Sequence, residues 1–145
     1  LHCKKGFKTA VAGVGGLGHL AVKMLHKMGY EVAGITTSIN KEEEIKKLGA
    51  DFVIDFNNNS HINKYEDYFD FIINTSPVYD GFEKLLKIAG MGGIICQVGF
   101  PDSSEKAQFS FEPVIMKELQ IIGSLVGSRS ITQEMLDFCA DNDVY

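Results

Sequence analysis

Three glycines, Gly13, Gly15 and Gly18, stand in the spacing G-x-G-x-x-G. Before them runs FKTAVAGV, Phe7 to Val14, an apolar run with β-branched residues. After them Leu17, Leu20, Ala21, Met24, Leu25 and Met28 recur at helical spacing, and Gly29 closes the pattern. The spacing alone is a weak signal. Placed between a strand and a helix, with a second strand ending about 18 residues further on, it points to a dinucleotide-binding turn. Each glycine then has its own task. Gly13 permits the sharp turn, Gly15 lets a pyrophosphate approach the backbone, and Gly18 lets the helix pack on the strand. The N–H groups near Gly16 and Leu17 open the helix and face the anion. A glycine-rich turn that binds nothing is the plainer alternative, and the surrounding elements favour the dinucleotide.

The second strand ends in Ile35-Thr36-Thr37-Ser38, with Lys41 one turn further on. An NAD site places an acid there, to accept bonds from the adenosine ribose hydroxyls. Here no acid repels a 2′-phosphate, and three hydroxyls and one cation replace it. A charge-assisted bond from Lys41 plus hydroxyl contacts is worth about 1.5–3 kcal/mol, or roughly 10- to 150-fold in favour of NADP over NAD. No Arg accompanies them, and Ser38 also suits a helix cap. The missing acid argues against a methyltransferase as well.

Nothing in the chain makes a convincing nucleophile, base or metal cluster. Tyr-x-x-x-Lys and G-x-S-x-G are absent. His19 and His26 share a helix face without a carboxylate, and His61 falls in a polar loop. His2-Cys3 is a possible metal pair with no further ligand in reach. Cys96 reads as a small core residue, and Cys139 likewise on the last helix. No catalytic residue and no metal ligand is therefore assigned.

The elements that must position the glycines and hydroxyls follow from the alternation of short β-rich and amphipathic runs. Strands are expected at FKTAVAGV, YEVAGIT, DFVID, FDFIINT, GGIICQVG and QIIGSLV. Helices are expected between them, with Asn40-x-x-Glu43 capping the second. NNNSHINKYED is read as loop plus a short helix. YDGFEKLLKIAG is a helix, Ser110 is a cap for FEPVIMKEL, and Ser130-x-x-Gln133 opens the last helix. Strands alternating with helices in this way make an α/β fold with a doubly wound, six-stranded parallel sheet of Rossmann type, in three αβα layers. The expected strand order is 3-2-1-4-5-6, with residues 1–145 forming one dinucleotide-binding domain.

The chain has 145 residues, 45% apolar and 23% charged, with a formal charge of −5. That acidity argues against nucleic acid or an anionic membrane as partner. No apolar run reaches the roughly 20 residues of a spanning helix. Three scattered cysteines without CxxC fit a reducing, cytoplasmic compartment. The start at Leu1 and the stop at DNDVY are read as the ends of a segment of a longer protein or of a truncated gene product, with simple trimming as the alternative.

VAGVGGLGHLAVKM, ITTS followed by Lys41, LGAD, FDFIINTSP, GGIICQVG, IIGSLVGS and EMLDFCA occur in this order along nearly the whole chain. Together they resemble the medium-chain, zinc-type alcohol dehydrogenases, and within them the NADP-dependent, cinnamyl-alcohol-dehydrogenase-like aldehyde reductases. The resemblance implies that this chain is the coenzyme domain only. The catalytic domain, with its catalytic zinc and a four-cysteine zinc lobe, would flank it on both sides. None of those ligands matches here, and Cys3 lies too close to the first strand to serve as one.

The resemblance also assigns cofactor contacts. Gly13 to Gly18 match the pyrophosphate turn, and Thr36, Thr37, Ser38 and Lys41 match the phosphate-reading positions. Thr75, Ser76 and Pro77 match the segment lining the coenzyme cleft, although Ser76 departs from the usual apolar residue. Val98, Gly99 and Phe100 would lie by the nicotinamide ribose, and Ser124, Leu125 and Val126 by the carboxamide. The sixth strand, Gln120 to Val126, is the family's dimer edge, so a homodimer is expected. The implied activity is hydride transfer between NADPH and an aldehyde or primary alcohol. The rivals are the coenzyme domain of a zinc-free quinone or enoyl reductase, a stand-alone nucleotide-binding module, and a decayed fragment without function.

Overall fold

The computed structural model describes residues 4–145. Its strands are β1 (Lys8–Ala12), β2 (Glu31–Thr36), β3 (Phe52–Asp55), β4 (Phe69–Asn74), β5 (Ala89–Gln97) and β6 (Gln120–Gly123). Its helices are α1 (Gly16–Lys27), α2 (Glu42–Lys47), α3 (Asn59–Lys64), α4 (Phe82–Ile88), α5 (Glu112–Met116) and α6 (Arg129–Asp141). All strands pair in parallel, in the order β3-β2-β1-β4-β5-β6. The expected doubly wound sheet is the observed one.

The two-residue period of the strands divides the core between the faces of the sheet. Ala10, Ala12, Ile35, Ile54, Ile72 and Ile95 join α3 and α4 through Ile62, Phe82, Leu85 and Leu86. Val11, Val32 and Val53 face the other way, onto Val22 and Leu25 of α1 and Ile45 of α2. Phe71, Ile94 and Cys96 form a smaller third cluster.

The element ends depart from expectation for local reasons. β1 stops at Ala12 because Gly13 turns to φ +81°. Asn40 does not cap α2: a 3-10 turn, Ile39–Lys41, intervenes, and Lys41 precedes the helix without a side-chain cap. α4 passes directly into β5 at Ala89, earlier than the expected start at Gly92. Lys117 explains this abrupt end. Its Nζ donates to the carbonyls of Leu86 (2.7 Å), Lys87 (3.2 Å) and Ala89 (2.8 Å), and pairs with Asp67 at 2.8 Å. The last helix is capped by Ser128, whose hydroxyl accepts from the Ile131 N–H, and not by Ser130. α5 is shorter than FEPVIMKEL, although the Ser110 hydroxyl does accept from the Glu112 N–H at 3.2 Å. β6 ends at Gly123, three residues short of Val126.

Candidate functional site

The sheet order reverses between β1 and β4, at the C-terminal edge of the strands. Doubly wound sheets hold ligands at such a reversal. A cleft of about 810 Å³ opens there. Its walls are the turn from Gly13 to Leu17, the loop Thr36–Ser38 with Lys41, the corner Phe56–Asn57, and the segment from Asn74 into α4.

The glycine turn is built by close approach. A Cβ on Gly13 would stand 2.9 Å from the Ser76 nitrogen, and one on Gly18 would stand 2.3 Å from the Gly13 oxygen. A Cβ on Gly15 would meet no atom within 4 Å, because the space above it is the cleft. No side chain caps α1. The first-turn N–H groups of Gly16 and Leu17 are therefore left for a cleft ligand. Thr75, buried at the exit of β4, holds this turn in place. Its hydroxyl donates to the Gly13 carbonyl and lies 3.1 Å from the Ala12 carbonyl, and its N–H donates to Ala12 at 2.9 Å.

The hydroxyl loop is partly self-occupied. Thr36 is buried, and its Oγ1 accepts the Ser38 N–H at 3.0 Å. Thr37, Ser38 and Lys41 are exposed. Ser38 precedes the 3-10 turn but makes no side-chain cap bond there, so capping does not consume its hydroxyl. Lys41 makes no ion pair among the described residues. No acid ends β2.

Beside the cleft, β4 and β5 exit through an amide clasp. Asn74, buried, donates from Nδ2 to Gln97 Oε1 at 2.7 Å. Gln97 Nε2 donates to the carbonyls of Ser76 (3.1 Å) and Gly99 (2.9 Å), and Asn74 Oδ1 accepts the Ser76 N–H at 3.2 Å. Every buried side-chain polar atom among the described residues has a partner, which is what makes such a network rigid.

The structure thus gathers Gly13, Gly15, Gly16, Leu17, Thr36, Thr37, Ser38, Lys41 and Thr75 around one cleft, with Gly18 beneath the turn. Val98, Gly99, Phe100, Ser124, Leu125 and Val126 stand on the same edge of the sheet but outside this lining. Val98 packs on the third cluster, and Phe100, Leu125 and Val126 are 81%, 77% and 89% exposed. Sequence reasoning missed Phe56, Asn57, Asn74, Lys84 and Gln97. Their contacts are long-range bonds with no local signature, and Asn57 sits in what reads as a polar tract.

His19 and His61 serve the scaffold. His19 Nδ1 lies 3.3 Å from the Gly15 carbonyl, and His61 Nδ1 accepts the Asp55 N–H at 3.2 Å. Burial pushes the Cys96 thiol up, which disfavours its thiolate form. His2 and Cys3 lie outside the described residues. Among the described residues no three His, Cys, Asp or Glu side chains converge as a metal site, and no helix is long and apolar enough to cross a membrane.

Comparison with known proteins adds an independent line. A family model of zinc-binding dehydrogenases matches residues 16–141. Aldehyde reductase YahK of Escherichia coli is 39% identical over 96% of this chain and 40% of its own length. NADP-dependent alcohol dehydrogenase C 1 of Mycolicibacterium smegmatis is 34% identical over 96% of this chain and 39% of its own. Among solved structures, a cinnamyl alcohol dehydrogenase from Sorghum bicolor superposes with a TM-score of 0.90 at 31% identity, over 96% of this chain and 39% of that one. The cinnamyl alcohol dehydrogenase of Helicobacter pylori, solved in complex with NADP(H), gives 0.84 at 31%, over 97% and 40%. The chain therefore spans about two fifths of the length of these relatives. Its doubly wound sheet, its glycine turn and the family match over most of its length agree: the chain belongs to the zinc-binding dehydrogenase family.

Proposed function

We propose that residues 1–145 are the NADP(H)-binding domain of a zinc-type alcohol dehydrogenase or aldehyde reductase. The observation that carries this is one cleft with two unlike ends. One end offers uncapped helix N–H groups above a glycine with an open face. The other offers Thr37, Ser38 and Lys41, where β2 ends without an acid. The first suits a pyrophosphate and the second a 2′-phosphate.

When bound in the whole enzyme, NADPH would give a hydride to an aldehyde and NADP⁺ would take one from a primary alcohol. The residues here bind and orient. Gly13 to Gly18 hold the pyrophosphate, and Thr37, Ser38 and Lys41 bind the ribose phosphate, with Thr36 shaping their loop. Thr75 and the Asn74–Gln97 clasp keep the β4 and β5 exits rigid. Val98 to Phe100 and Ser124 to Val126 continue the site toward the nicotinamide. The described residues do not fit a zinc site, so we assign zinc to the part of the whole enzyme outside this chain. The test is a fluorescence titration with NADPH and NADH. NADPH is expected to bind at least about tenfold more tightly. Equal affinities would remove the NADP assignment.

A homodimer through the Gln120–Val126 edge belongs to the same proposal. β6 is bonded on one side only, to β5, and Ile121 is 39% exposed. An open edge of this kind is a template for a second copy. Sedimentation should give a dimer mass that Ile121→Lys reduces to a monomer. A monomeric mass for the unaltered protein would contradict it. A reducing, cytoplasmic location suits the free Cys96 and Cys139.

A further inference from the structure

The corner after β3 is tied both to the hydroxyl loop and to α4. Phe56 N–H donates to the Thr36 carbonyl at 2.8 Å. The Phe56 carbonyl accepts Lys84 Nζ at 2.9 Å, and the same ammonium lies 4.8 Å from the centre of the Phe56 ring. Asn57 is held by its own N–H, which donates to Asp55 Oδ1 at 2.9 Å. From this corner, bound to β2 and α4, Asn57 Nδ2 reaches across and donates to the Thr37 carbonyl at 3.1 Å. The loop Thr36–Ser38 is thus held at two points: by Thr36 Oγ1 on the Ser38 N–H, and by Asn57 on the Thr37 carbonyl.

We propose that Asn57 is a positioning residue for coenzyme choice: it fixes the Thr37–Ser38 loop in the form that reads the 2′-phosphate. The proposal rests on the coenzyme reading above. Without the amide, the Thr37 carbonyl returns to water and the loop regains backbone freedom. Its hydroxyls must then be ordered when the phosphate binds, which costs affinity. The cost falls on the 2′-phosphate alone, because the pyrophosphate donors sit on the glycine turn, which Thr75 holds separately. An Asn57 that served only the fold would weaken both coenzymes alike, or neither.

The experiment measures dissociation constants for NADPH and NADH in the unaltered chain, in Asn57→Ala and in Asn57→Gln. Asn57 is exposed, so neither variant leaves a cavity in the core. In Asn57→Ala the NADPH preference should fall about fivefold, with NADH affinity held within about twofold. Asn57→Gln, which keeps the amide, should recover part of the preference. An unchanged ratio in Asn57→Ala, or an equal loss for both coenzymes, overturns the proposal and leaves the coenzyme reading standing. A ratio of one in the unaltered chain overturns that reading and the proposal with it.

Discussion

The two longest helices differ sharply in what they bury. α1 has 12 residues and sinks Gly18, Val22 and Leu25 against β1 and β2. α6 has 13 residues and buries none, and Ile131 and Leu136 stand 59% and 51% exposed. The strands repeat the contrast. Four of the five residues of β1 are buried, and none of β6. Both helices carry an apolar stripe, so amphipathicity alone does not distinguish them. The core runs continuously from β3 to β5, and the cleft is anchored to that part of the sheet. The β6–α6 edge contributes little to stability here and leaves apolar surface free.

The strongest test of this contrast is a pair of core and edge deletions. Phe69 is fully buried, stacked on Phe52, tilted against Tyr65 and edge-on to Tyr68. Phe69→Ala should lower unfolding free energy by about 3–5 kcal/mol, while Leu136→Ala should stay within about 0.5 kcal/mol. Urea denaturation gives both, and comparable losses would break the contrast. Next, Gly18→Val forces side-chain atoms onto the Gly13 carbonyl. It should cost about 1–3 kcal/mol and remove NADPH binding, where Gly123→Val, in open space at the end of β6, should leave the NADPH affinity unchanged. Third, Lys41→Ala should weaken NADPH about tenfold, near 1.4 kcal/mol, and leave NADH unmoved. A matching loss for NADH would mean that Lys41 does not read the 2′-phosphate.

The smallest effect concerns Tyr68. Its hydroxyl donates to Glu31 Oε1 at 2.7 Å, and this bond, with lesser help from burial, pushes its pKa up to about 12. The neutral phenol is the form favoured by folding. The stability this adds is fully present below the ordinary tyrosine pKa near 10 and is lost as pH rises from there through about 12. Ultraviolet titration should show one tyrosine ionising late, and Glu31→Gln should bring it earlier. A single tyrosine class near pH 10 would contradict the bond.

Much of this is legible in the sequence. The period-two strands, the helical spacing from Leu17 to Met28 and the glycine turn are local patterns, and they led to the sheet order and to one wall of the cleft. The bonds that build the site are long-range and leave no local pattern, even at Thr75, which the sequence places at the cleft. Thr75 reaches Gly13, 62 residues away, and Asn74 pairs with Gln97, 23 residues away. Such bonds join segments that only the finished fold makes neighbours. Lys117 ends α4 from about 30 residues downstream, so no reading of the α4 segment itself finds its stop. Ser128 and Ser130 are both good caps by type, and backbone geometry at Ser128 decides between them. Asn40 lost its expected role because the chain takes a 3-10 turn first.

The most direct measurement of the central claim is a residue-by-residue map of amide chemical shifts as NADP⁺ and then NAD⁺ are added. The account predicts saturable shifts for NADP⁺ at Gly15, Gly16 and Leu17 and at Thr37, Ser38 and Lys41. NAD⁺ should move the first group and leave the second nearly still. Shifts confined to residues outside the cleft, or no saturable shift with either coenzyme, would contradict it.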